Sequence, residues 1–135
     1  MQLSTTVLQN SVLIVDDDIE ALDEMCESLQ GYGLTVYIAS NVGLALKLAK
    51  EQRPAFIIMD YLLHGYTGTE AVSEIHKFLP ETQVIMISAL ADLANIVTAI
   101  DFGVIAVMKK PLSMDSIGRF IVSKLEYKKQ NTMAG

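Results

Sequence analysis

The stretch Ser11-Val12-Leu13-Ile14-Val15-Asp16-Asp17 reads as a buried β-strand that runs directly into two carboxylates. Consecutive apolar residues leave no polar face, as a strand covered on both sides requires. The construction recurs along the chain. Phe56-Ile57-Ile58-Met59 ends in Asp60, and Val84-Ile85-Met86-Ile87 ends in the hydroxyl of Ser88. Val104-Ile105-Ala106-Val107-Met108-Lys109 leads to Lys110 and Pro111. In a parallel sheet these ends gather on one edge, where open α/β folds place their sites. Clustered acids repel one another unless a cation neutralises them. The set suggests a magnesium site beside a carboxylate able to accept a phosphoryl group.

Between the strands the apolar spacing turns helical. Ile19, Leu22, Cys26 and Leu29 fall on one helical face, closed by Gly31 and Gly33. Leu34 to Ile38 reads as a second strand. Asn41 is a plausible N-cap for a helix that turns Val42, Ala45, Leu46 and Ala49 inward. Arg53-Pro54 ends that helix, because proline disfavours a helical residue before it. A third helix starts at Thr67 or Gly68, buries Ala71, Val72, Ile75, Phe78 and Leu79, and breaks at Pro80. A fourth is expected over about 91–102 with Gly103 as its cap. A fifth starts after Ser113 and buries Met114, Ile117, Ile121 and Leu125. Five alternations of strand and helix, with right-handed crossovers, give a three-layer α/β/α sandwich. The expected domain spans 11–127, with an N-terminal extension over 1–10 and a flexible tail over 128–135.

Composition narrows the function classes. A chain of 135 residues fits one domain, and at 51% apolar and 19% charged it is expected to fold. The net charge of −6 disfavours direct binding to nucleic acid or an anionic membrane. A lone Cys26 excludes an internal disulfide and reads as a core thiol, and no Cys/His cluster suggests zinc. Residues 1–10 hold neither a basic region nor a long apolar run, so no signal peptide is read and a cytoplasmic location is the expectation.

The residues Val15-Asp16-Asp17, Met59-Asp60, Gly65, Gly68, Ser88-Ala89, Gly103 and Lys110-Pro111, in this order on a fivefold βα pattern, resemble the receiver domains of bacterial two-component response regulators. The resemblance implies a flavodoxin-like sheet of order 2-1-3-4-5. It also implies roles. Asp60 would take a phosphoryl group from a sensor histidine kinase or a phosphotransfer protein. Asp17 would ligate Mg2+ directly, Asp16 through water, and Asp60 and the backbone carbonyl of Leu62 would complete the protein ligands. Lys110 would pair with Asp60 and then with its phosphate, and Ser88 would bond a phosphoryl oxygen. Such a module catalyses only its own phosphoryl transfer and dephosphorylation.

The chemistry of the residue types agrees with these roles. Phosphoryl transfer needs charge neutralisation and in-line positioning more than covalent help. Magnesium prefers oxygen ligands and keeps several waters, so carboxylates plus a carbonyl suffice. Lysine meets phosphate as a compact point charge. Asp18 reads as a helix N-cap or N-terminal charge, and Lys109 as a solvated cation. Asp16, Asp18, Glu20 and Glu27 fall at calcium-loop positions, but Ala21 stands where such a loop needs glycine.

The chain also departs from the family's pattern. His64 replaces a usual proline and Tyr66 a usual methionine. Leu62 and Leu90 stand where relatives often carry polar side chains. Val107 replaces the tyrosine or phenylalanine whose ring commonly moves with the hydroxyl residue. The fourth helix, with Leu90, Leu93, Ile96, Val97 and Ile100 and no lysine or arginine, exceeds one apolar stripe. A second copy of the chain or an output partner is therefore expected at the fourth helix and fifth strand. The competing expectation is a degenerate receiver that binds partners without phosphorylation, against which the intact Asp16, Asp17, Asp60, Ser88 and Lys110 set stands. A flavin carrier on the same fold would need a phosphate-cradling loop where these acids stand.

Overall fold

The computed structural model describes residues 7–63, 66–88, 100, 103–109 and 113–134. Five parallel strands form the central sheet: β1 (Leu8–Val15), β2 (Thr35–Ala39), β3 (Pro54–Asp60), β6 (Gln83–Ser88) and β7 (Val104–Lys109). A short antiparallel hairpin, β4 (Leu62–Leu63) with β5 (Tyr66–Thr67), sits between β3 and the third helix. The sheet order is β2-β1-β3-β6-β7, which is 2-1-3-4-5 counted along the five parallel strands. Four helices are described: α1 (Ile19–Gln30), α2 (Val42–Gln52), α3 (Gly68–His76) and a last helix, Met114–Ala134. α1 packs on the last helix and α2 on α3, one pair for each face of the sheet. The result is the expected α/β/α sandwich of flavodoxin-like topology.

Burial explains why the strands are uninterrupted apolar runs. Val12, Leu13 and Ile14, then Ile57 and Met59, then Val84, Ile85 and Met86, are all fully covered. Covering one such side chain contributes on the order of 1.5–3 kcal/mol. Registers Val15↔Met59 and Met59↔Met86 lock the three central strands level with one another.

The helix ends follow local chemistry. Asp18 caps α1, its carboxylate accepting the Ala21 N–H at 3.2 Å. Asn41 caps α2 in the same way through the Leu44 N–H at 2.8 Å. Arg53 ends α2 in a left-handed conformation, φ 48°, which Pro54 permits because it excludes a further helical turn. Gly103 adopts φ 91° and donates to the Ile100 carbonyl, so it turns the chain into β7 as a helix-ending glycine does.

Five expectations change. β1 starts at Leu8, not Ser11, and carries a bulge between Leu8 and Val12 with Asn10 at φ 61°. Ile19, the first residue of α1, is 64% exposed, whereas Leu22 and Leu29 further along the helix are buried. α3 ends at His76, and Phe78 and Leu79 pack from the turn that follows, not from the helix. The fifth parallel strand is not buried on both faces: β7 is a sheet edge and its Ile105 is 41% exposed. The last helix also continues to Ala134, beyond the boundary drawn at 127. The expected helix over 91–102 lies outside the described residues apart from Ile100, which is helical and exposed.

The last helix meets the turn that follows α1 through a glycine. A side-chain carbon on Gly118 would fall 2.5 Å from the Tyr32 ring, so the ring lies directly on that helix's backbone. Gly118→Ala is therefore expected to cost about 1–3 kcal/mol by overpacking. In a Tyr32→Ala background most of that penalty should vanish. Urea unfolding of the two single variants and the double variant measures both effects.

Candidate functional site: an acidic cluster at the C-terminal edge of the sheet

The ladder continues one residue past β1, since the Asp16 N–H donates to the Ala39 carbonyl of β2 at 3.1 Å. Asp16 is thereby held at the sheet edge and is only 4% exposed. Its carboxylate accepts the Asp18 N–H at 3.0 Å, a local turn that carries the chain from β1 into α1. Asp17 lies between them and is exposed. Asp60 ends β3, half-buried and level with Ile87 of β6. Carboxylate oxygens of Asp16, Asp17 and Asp60 all lie within 4.8 Å of one another. Ser88 ends β6, 2% exposed, in register with Lys109 of β7. Four adjacent strand ends thus present three acids, a hydroxyl and the start of a basic segment on one edge.

The donor set is all oxygen. Hard cations such as Mg2+ and Ca2+ take such ligands, whereas zinc or copper sites draw on His or Cys. Asp16, Asp17 and Asp60 fit a hard divalent ion by ligand type and by their mutual distance. Leu62 is the first residue of the β4–β5 hairpin, two positions after Asp60. Lys109 is exposed, as expected of a solvated cation. Lys110 and Pro111 follow it directly and lie outside the described residues, as do His64, Gly65, Ala89, Leu90, Leu93, Ile96 and Val97.

Comparison with known proteins decides the family. The family model for the response regulator receiver domain matches residues 12–121. The chain belongs to this receiver family. Its fold matches a CheY-like response regulator receiver domain protein from Methanospirillum hungatei with a TM-score of 0.82 and 30% identity, over 90% of this chain and 97% of that one. Among curated proteins it is similar to the photosynthetic apparatus regulatory protein RegA of Rhodobacter capsulatus, 25% identical over 86% of this chain. It is also similar to the acid tolerance regulatory protein ActR of Rhizobium meliloti, 28% identical over 79% of this chain. The chain spans 63% of the first relative's length and 55% of the second's.

In this receiver the turn after Asp60 is held by groups whose importance the sequence does not signal. The Tyr61 N–H donates to the Ile87 carbonyl at 2.9 Å, and the Gly68 N–H to the Tyr61 carbonyl at 2.7 Å. The β4–β5 hairpin therefore returns the chain onto the residue beside Asp60. Gly68 was legible as a helix start, but not as a close approach to the Asp60 backbone. Asp18 is a cap, so it does not extend the acid cluster. Cys26 is half-buried on α1 rather than fully in the core. Burial pushes its thiol above the ordinary range, and Asp23 adds to the effect. A raised pKa leaves less thiolate at neutral pH. Alkylation of the receiver by iodoacetamide should be slow at pH 7 and climb with pH to an inflection above that of a free cysteine.

A second expectation follows from the clustered charge. Asp17→Ala removes one of three like charges, so the metal-free melting temperature should hold or rise. Magnesium should raise the melting temperature of the parent protein, and Asp17→Ala should remove that shift. Thermal melts with and without magnesium measure both.

Proposed function

We propose that this receiver is a phosphoacceptor switch. Asp60 takes a phosphoryl group from a histidine of a sensor kinase or phosphotransfer protein. The observation that carries this reading is the meeting of the Asp16, Asp17 and Asp60 carboxylates within 4.8 Å beside the buried Ser88. An Asp60 oxygen attacks phosphorus, the phosphorus–nitrogen bond of the donor breaks, and the imidazole leaves to regain a proton from solvent. The product is an acyl phosphate on Asp60. Asp16, Asp17, Asp60 and the Leu62 carbonyl would hold Mg2+, which when bound offsets the charge of the acids and of the incoming phosphoryl oxygens. Ser88 donates its hydroxyl hydrogen to a phosphoryl oxygen, and Lys110 supplies a point charge to another. The domain acts only on itself, with its working place the cytoplasm.

Output is proposed to leave through the edge of the sheet. Val107 is half-buried on β7 and has no ring to move, so the coupled hydroxyl–aromatic movement has no counterpart here. Ile105 is exposed on the same strand, and Ile100 is 58% exposed just before it. Apolar side chains left in water at an unpaired edge favour a second copy or an output partner there.

Incubation with acetyl phosphate and magnesium should add one phosphate to the intact mass. Asp60→Asn should add none; equal labelling of that variant would sink the assignment. Leu62 and Leu90 offer no hydrogen bond to orient an attacking water. Leu62→Asn and Leu90→Asn should therefore speed loss of phosphate, by up to about a hundredfold, the lower end of what one oriented proton-transfer group usually contributes. Decay of the phosphorylated species followed by mass spectrometry gives the rate.

A further inference from the structure

The turn that carries Asp60 is braced from β6 by backbone and by side chain. The backbone brace is the Tyr61 N–H on the Ile87 carbonyl. The side-chain brace comes from the residue before Ile87. A carbon built on Gly68 would lie 2.8 Å from Met86 Cε, 3.0 Å from the Asp60 carbonyl oxygen and 3.2 Å from the Tyr61 α-carbon. The Met86 methyl therefore bears directly on Gly68, and Gly68 in turn bears on the Asp60–Tyr61 backbone and donates to the Tyr61 carbonyl. These contacts close a ring through Ile87, Tyr61, Gly68 and Met86.

Met86 is fully buried, and its register partners are Met59 and Val107. Register partners in a parallel ladder project to one face. Met86 thus stands between the residue that precedes the acceptor and the edge residue Val107. A thioether is long, unbranched and adaptable, and suits an irregular gap against a glycine.

We infer that Met86 is a positioning residue for the acceptor: its methyl sets the height of Gly68 and so of the turn from which the Asp60 carboxylate reaches its partner. The inference rests on the reading of Asp60 as phosphoacceptor. In-line transfer tolerates little displacement, and a shift of about 1 Å can lower a rate as much as a hundredfold. Shortening Met86 leaves Gly68 unsupported on that side and lets the turn relax into the space.

The test compares Met86→Ala, the milder Met86→Val and the volume-conserving Met86→Leu with the parent protein. Labelling by acetyl phosphate in magnesium is followed at varied phosphodonor concentration, below each variant's melting temperature. Met86→Ala, or Met86→Val should the first not fold, is expected to lower the maximal rate about tenfold. Half-saturating acetyl phosphate should be unchanged, and Met86→Leu should recover most of the rate. Without phosphodonor, amide exchange at Tyr61 and Gly68 should quicken in the shortened variants relative to the other β6 contacts. Parental labelling rates with these two amides still protected overturn the inference and leave Asp60 as acceptor. If the parent protein takes no phosphate on Asp60, the proposed function falls, and amide exchange alone then decides the bracing role: faster exchange upholds it and unchanged protection overturns it.

Discussion

Three carboxylates are held within 4.8 Å of one another although each repels the others. Nothing local favours that arrangement. It exists because β1 and β3 are neighbours, with Val15 opposite Met59, and the next residue on each strand is an aspartate. The pairing is fixed by a core in which the central residues of β1, β3 and β6 are all covered. Burial worth on the order of 1.5–3 kcal/mol for each large apolar side chain outweighs the repulsion of a few charges at a solvated edge. The sheet therefore holds a charged site in a state that favours the arrival of a cation.

The same rigidity governs how the site is built around Asp60. Asp60 is half-buried at the end of its strand, and the residue after it is tied to β6 through Ile87 and to α3 through Gly68. A site carried on strand ends is more exact than one carried on free loops, because strand positions are set by pairing. The backbone beside Asp60 is thus anchored to both β6 and the start of α3. In the sheet, β6 lies between β3, which carries Asp60, and the edge strand β7.

The two sheet edges differ from the centre for a physical reason. A residue on β3 or β6 has strands on both sides and helices on both faces, so almost no surface is left. β7 has a strand on one side only, and Ile105 keeps 41% of its surface. Strand composition alone could not report this, since Val104 to Met108 is as apolar as the central strands. Position in the order 2-1-3-4-5 decides burial, and position is a matter of topology. Ile19 makes the same point for a helix: its spacing matches Leu22 and Leu29, but at the first position of α1 it stays exposed while they are buried.

The sequence by itself determined the alternation of strand and helix, the two capping residues Asp18 and Asn41, and the identity of the acids. Those follow from local rules: apolar period, side-chain hydrogen bonds to nearby backbone, and the place of polar residues at strand ends. It also carried enough ordered motifs to resemble the receiver family, to which the chain belongs. Only the tertiary structure decided that Asp16 is buried while Asp17 is exposed, that Cys26 is half-covered, and that Gly68 stands against the backbone of Asp60 and Tyr61 with Met86 against Gly68. Met86 is one apolar residue in an apolar strand, and no local signal separates it from its neighbours. Its role arises from a contact between β6 and a helix start eighteen positions earlier in the chain, and such contacts are set by packing, which acts between elements and not along them.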